Sequence, residues 1–196
     1  MARPALSAIV LALAAIALSS GQARAQNQAP ARLDRPAISR ATHDLFLRAC
    51  VAEIGDQAAI EEVLRKADLH LAPPEVGGRL GVGDPGRVWR GNDPARPLAV
   101  VTRDSGILCQ VMAPYADVET SAALFRRAAE ELRRPGQEVT LERDEPAELG
   151  GRPGRQVFFR VGPAPGGLLL ALSVADARPG GLGLMMTASR AAPEPR

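Results

Sequence analysis

The chain has 196 residues, 46% of them hydrophobic and only 3% aromatic, with a formal net charge of +2. That length is enough for one domain with a real apolar core. So small a charge excludes the strongly basic surface of a nucleic-acid binder, and the scarcity of aromatics (Trp89 and Tyr115 are single examples of their kind) excludes a stacking platform.

The N-terminus sets the compartment. Met1-Ala2-Arg3, the apolar run Ala5 to Leu18 and Ala23-Arg24-Ala25 are the three parts of a secretory signal peptide, with the cut expected between Ala25 and Gln26. The run falls well short of the roughly 20 apolar residues of a spanning helix. No later segment approaches that length, so no membrane span is expected after cleavage. Arg3 and Arg24 are the only charged residues removed, and losing them brings the net charge to zero. The mature chain therefore has no electrostatic reason to bind nucleic acid or an anionic membrane. The expected location is the periplasm or the outside of the cell.

Residues 26–38 contain Pro30 and Pro36 and show no periodicity, so they are expected to form a flexible leader. A single α+β domain is expected over 39–190, with a disordered tail at 191–196. A first helix is predicted from Thr42 to Ile54, where Leu47, Cys50, Val51 and Ile54 share one face. Gly55 closes it and Asp56 caps a second helix with Ile60, Val63, Leu64 and Ala67 on its apolar side, giving a helical hairpin. His70 falls at the end of that second helix.

Pro73 to Pro97 reads as a long loop interrupted by a short strand at Val88-Trp89-Arg90. Leu98–Thr102 and Ile107–Met112 flank a hairpin turn at Arg103 to Gly106. A long helix is predicted from Asp117 to about Arg134, before Pro135-Gly136. Four strands follow, near 138–143, 155–161, 167–174 and 182–187. No internal repeat of 20–50 residues is visible. The expected fold is a helical hairpin plus one long helix packed on a mainly antiparallel sheet of six or seven strands.

Cys50 and Cys109 are the only cysteines. In an oxidising compartment an isolated pair is most simply a disulfide, tying the first helix to the middle of the sheet. Free buried thiols or a redox role are the alternatives, though no Cys-x-x-Cys spacing is present to lower a thiol pKa.

Candidate chemistry is thin. Gly81-Val82-Gly83-Asp84-Pro85-Gly86 matches a dinucleotide fingerprint in letters, but it lacks the preceding strand and following helix that would hold a pyrophosphate. His43 and His70 have no metal-ligand spacing, and no metal or cofactor is expected. Ser105 and Ser173 sit outside any nucleophile elbow. Asp144-Glu145 and Glu61-Glu62 are adjacent acids whose side chains diverge. Arg126, Arg127, Arg133 and Arg134 are interleaved with Glu130 and Glu131 on a solvated helix face. Arg87, Trp89 and Arg90, inside the long loop, are the candidate binding residues, because loops on a rigid scaffold commonly carry binding. A lone large aromatic such as Trp89 more commonly anchors a long loop as a structural plug over the sheet edge.

Phe46-Leu47-Arg48-Ala49-Cys50, Gly86-Arg87-Val88-Trp89 and Gly106-Ile107-Leu108-Cys109 together resemble uncharacterised exported proteins of proteobacteria over residues 43 to 130. The resemblance implies export and agrees with pairing Cys50 to Cys109, and it carries over no catalytic residue. The expected function is a non-enzymatic exported domain that binds an envelope component or a small ligand. An exported hydrolase using His43 or His70, and a purely structural or stress-related envelope protein, are the alternatives.

Overall fold

Asp34 starts the helical layer, accepting a hydrogen bond from the Ala37 N–H at 2.9 Å in a computed structural model that describes residues 34–79, 86–92, 98–103, 106–163, 166–176 and 182–190. The expected signal segment 1–25, its cut at Ala25/Gln26, Gly81 to Pro85, Ser105 and the tail 191–196 lie outside the described residues. Helix α1 (Arg35–Leu45) begins earlier than the sequence periodicity suggests. Residues 35–38 are its first turn rather than part of a flexible leader. The cause is local: Asp34 caps, and Pro36 sits in the first turn, where a missing N–H costs nothing.

From Phe46–Val51 the helix widens into a π-turn, with the Ala52 N–H donating to the Leu47 carbonyl at 2.9 Å. Gly55 then turns the chain at φ +99°, and Asp56 caps α2 (Gln57–Lys66) through the Ala59 N–H at 3.0 Å. That turn packs against Gly106, whose carbonyl accepts from the Gly55 N–H at 2.9 Å. A Cβ at Gly106 would meet Gln57 N at 3.0 Å, and its φ is +72°, so both the approach and the backbone require glycine.

The eight strands of the described residues join one antiparallel sheet: β1 (Leu69–Leu71), β2 (Gly86–Gly91), β3 (Ala99–Arg103), β4 (Leu108–Ala113), β5 (Val139–Glu148), β6 (Pro153–Val161), β7 (Leu168–Ala175) and β8 (Leu184–Arg190). Their order across the sheet is β1-β2-β3-β4-β8-β7-β6-β5. The fold class is therefore as expected, with one strand more than the upper bound of the estimate. The extra strand is β1, which occupies residues expected at the end of the second helix. Asp68, at φ +59°, breaks that helix and turns the chain into the sheet.

The long loop expected from Pro73 to Pro97 also contains a short helix, α3 (Pro74–Arg79). The long helix α4 (Val118–Glu131) is capped by Asp117, which accepts from the Thr120 N–H at 2.7 Å. Proline and glycine at 135–136 form the turn that leads into β5.

Strand alternation divides the sheet into two faces. Val100, Cys109, Val111, Met186, Leu172 and Val157 face α1, its π-turn, α2 and α4, and are buried. The rings of Phe46, Phe125 and Phe159 run from the π-turn through α4 to β6, with centroids 6.1 and 6.2 Å apart. On the opposite face α3 covers only one end, where Val76 packs on Ala72, Val88, Val101 and Met112.

Cys50 and Cys109 form a disulfide with Cα atoms 5.1 Å apart, joining the π-turn to β4. Closing a loop of 59 residues' separation is worth about 4 kcal/mol on the chain-entropy account. Replacing both cysteines by alanine is expected to lower unfolding stability by about that much. Urea denaturation of the oxidised wild type against the double variant measures it.

Candidate functional site

Each candidate residue has a defined position, and most are committed to the fold. Trp89 and Arg90 lie in the strand expected at 88–90, which extends over Gly86–Gly91 as β2 and takes in Arg87 as well, so the three side chains alternate between faces. Arg87 and Trp89 point to the helices. There α2 presents Gln57, Glu61 and Arg65 at helical four-residue spacing. Gln57 donates to Thr102 Oγ1 at 3.1 Å, Glu61 pairs with Arg87, and the Arg65 guanidinium lies 6.0 Å from the Trp89 ring centre.

Burial alone would raise the Glu61 pKa. The Gln57 hydrogen bond and the charges of Arg87 and Arg65 outweigh it, and the carboxyl lies below its usual range. Trp89 is 4% exposed, a core residue rather than a ligand platform, and its Nε1 has no partner among the described residues. Arg90 faces the other way, opposite His70 of β1.

The two histidines sit in different environments. His43 is buried on α1, and its Nε2 has no partner among the described residues. Burial holds its pKa below that of a free imidazole, against the opposing pull of Asp44 and Glu131. His70 is exposed on the sheet edge, 3.3 Å from Asp68. Ser173 lies on the sheet face away from the helical layer, opposite Gln156 and Met185. Among the described residues, no group of three or more His, Cys, Asp or Glu could hold a metal ion, and no helix is long and apolar enough to cross a membrane.

The adjacent acids diverge as expected. Asp144 turns inward at a β-bulge between Leu141 and Arg143, while Glu145 stays exposed. Arg126 of α4 grips Asp144 with Nε at 2.5 Å and Nη2 at 3.0 Å, and Arg155 of β6 adds Nε at 2.6 Å. Its side chain is only 16% exposed. The Arg126 hydrogen bond, aided by Arg155, holds the Asp144 pKa below the usual carboxylate range despite burial. Arg127 pairs with Glu131 along α4, and Arg133, just beyond its end, pairs with Glu130.

The feature not anticipated from sequence is a half-open cleft of about 440 Å³ beneath α1. Ile38, Ala41, Thr42 and Leu45, at helical spacings of three and four, form its roof. Its floor is one row of the sheet, from Leu69 through Gly91 and Leu98 to Ala113. The Asp44–Arg48 ion pair, 2.7 Å long, lies along one wall, and Ala67, Asp68 and Asn92 complete the lining. This combination of a small-molecule-sized volume, an apolar interior and a few polar groups is what a binding site needs. Gly91 and Asn92 belong to the expected loop region, so its neighbourhood was legible. The roof was not, because a helix starting at Thr42 omits Ile38 and Ala41; Asp34 followed by Pro36 was the available signal.

The sequence matches no family model and no curated protein.

His43 and the depressed carboxylates, Asp144 and Glu61 among them, predict a two-step acid limb of stability. All these native pKa values are depressed, so each contribution is full above the unfolded-state pKa and is lost as pH falls. The His43 step begins below about pH 6.5 and the carboxylate step below about pH 4. His43→Leu should flatten the upper step alone. Asp144→Asn should reduce the lower one, to which Glu61 also contributes, and cost about 2 kcal/mol at neutral pH. Denaturant midpoints across that pH range test both.

Proposed function

We propose that the chain is an exported, non-enzymatic binding domain that takes an apolar group of an envelope component into the cleft beneath α1. The cleft is the observation that carries this reading: apolar side chains of α1 and of one sheet row line a half-open space of small-molecule size. Export rests on the N-terminal sequence. It is supported by the buried Cys50–Cys109 bond, since such a bond persists in an oxidising compartment. The proteobacterial exported proteins that the chain resembles fit the same setting.

A hydrolytic role for His43 or His70 gains no specific support. His43 is shielded in the helical layer, and the nearest charged partner of His70 is the exposed Asp68. The uncovered cleft gives the binding reading an advantage over a purely structural role.

Two measurements test the proposal. Protein recovered from an exporting host should begin at Gln26 and show no alkylatable thiol; an intact Met1 or two free thiols would defeat the export reading. The apolar dye N-phenyl-1-naphthylamine should gain fluorescence with the wild type. Ala41→Trp, at an exposed position on the roof, should abolish that gain while leaving the melting temperature unchanged. Equal dye binding by the variant would place the apolar site elsewhere.

A further inference from the structure

The two edges of the sheet are built differently. Edge strand β5 carries a bulge, Pro146 and a run of charges that includes Glu142, Arg143, Glu145 and Glu148. These are the devices that stop a sheet edge from pairing with another chain. Edge strand β1 has only its three-residue length as protection, with no bulge, proline or run of charges. It holds one titratable residue, His70, between two leucines, and Leu71 is 56% exposed, the highest value among the large apolar side chains described.

The hydrogen-bond phase of β1 is fixed by its neighbour. The Ala72 N–H donates to the Val88 carbonyl at 2.8 Å, and the register pairs His70 with Arg90. In an antiparallel ladder inward and outward groups alternate, so Leu69 and Leu71 direct their N–H and C=O groups away from the sheet. Leu69 is also the first residue of the cleft floor, and Asp68, with its side chain 89% exposed, stands next to it at the mouth.

We infer that β1 is a docking edge for an extended peptide segment of a partner protein, which adds as a ninth strand and places one apolar side chain in the mouth of the cleft. This rests on the cleft being a binding site and names its partner class. Main-chain hydrogen bonds to Leu69 and Leu71 supply affinity, and the cleft supplies side-chain selection. Within the cleft lining Asp44 is already neutralised by Arg48, whereas the Asp68 carboxylate, with only the His70 imidazole 3.3 Å away, stays open to solvent. The segment that fits therefore carries a Lys or Arg beside its apolar residue.

A phage-displayed library of linear random heptapeptides, panned on the disulfide-intact protein, is the test. Enriched sequences should pair an apolar with a basic residue. A synthetic peptide of the consensus should slow amide exchange at Leu69 and Leu71 by about tenfold or more. Leu71→Pro removes only an outward N–H, a change edge strands tolerate, so it should abolish peptide binding while keeping the wild-type melting temperature and dye fluorescence. Asp68→Asn, which keeps a residue tolerant of the left-handed backbone at that position, should weaken the peptide.

Dye binding without peptide enrichment, or peptides that bind Leu71→Pro as well as wild type, would overturn the docking edge and leave the cleft standing. Loss of the dye response in the wild type would remove the cleft itself. Concentration-dependent protection of Leu71 without peptide would assign the edge to a second copy of this chain instead.

Discussion

The Cys50–Cys109 bond is the constraint on which the helical layer depends. It joins the π-turn that follows α1 to β4, and β4 is where the two halves of the sheet meet, paired with β8. A contribution of about 4 kcal/mol is a large fraction of the 5–15 kcal/mol that holds a typical domain together. The exposed helical pairs, such as Asp44 with Arg48 and Glu131 with Arg127, are worth about 0.3–0.5 kcal/mol each by comparison. The Phe46–Phe125–Phe159 chain starts four residues before Cys50 and carries the fixed position across to β6. The orientation of α1, and hence the roof of the cleft, follows from this pin at its C-terminal end.

The topology is a repeat that the sequence does not display. Each half opens with helical structure and continues as four consecutive antiparallel strands, the first half with α3 inserted between β1 and β2, and the last strands of the two halves, β4 and β8, lie side by side. Packing explains why no repeat is legible. The first half fastens its helices with a disulfide and with the Gln57–Glu61–Arg65 stripe on β2 and β3. The second fastens α4 through Arg126, Asp144 and Arg155. Both solutions need only apolar alternation in the strands, which many sequences satisfy. Topology is conserved between the halves while the fastening chemistry differs.

Patterns spanning several residues were readable, and single-residue devices mostly were not. The long helix, seven strands and the cysteine pair follow from periodicity, turn residues and compartment. The short β1 was hidden because Leu69-His70-Leu71 continues a helical stretch until Asp68 adopts a left-handed backbone. The inward turn of Asp144 depends on a bulge that adjacency to Glu145 does not announce. Trp89 drew interest as a lone large aromatic, yet its place in β2, opposite Val100 and beneath Arg65, makes it a packing residue. The same alternation that buries Trp89 sends Arg90 to the far face, so the three residues of the expected binding loop never converge.

Stability and accessibility are distributed unevenly for a physical reason. At the β5 end, Asp144, its two arginines, the bulge and the charged edge close the sheet against both unfolding and pairing. At the β1 end the edge is three residues long, α3 lends it only a small apolar cluster on one face, and the cleft leaves the other face partly open. An edge so short gains little from its own ladder, so an added strand there would contribute backbone pairing that the isolated domain lacks. The end of the sheet farthest from the Asp144 clamp is thus the one where a partner gains most from joining it, and the disulfide fixes the helical layer there independently of whatever occupies the edge.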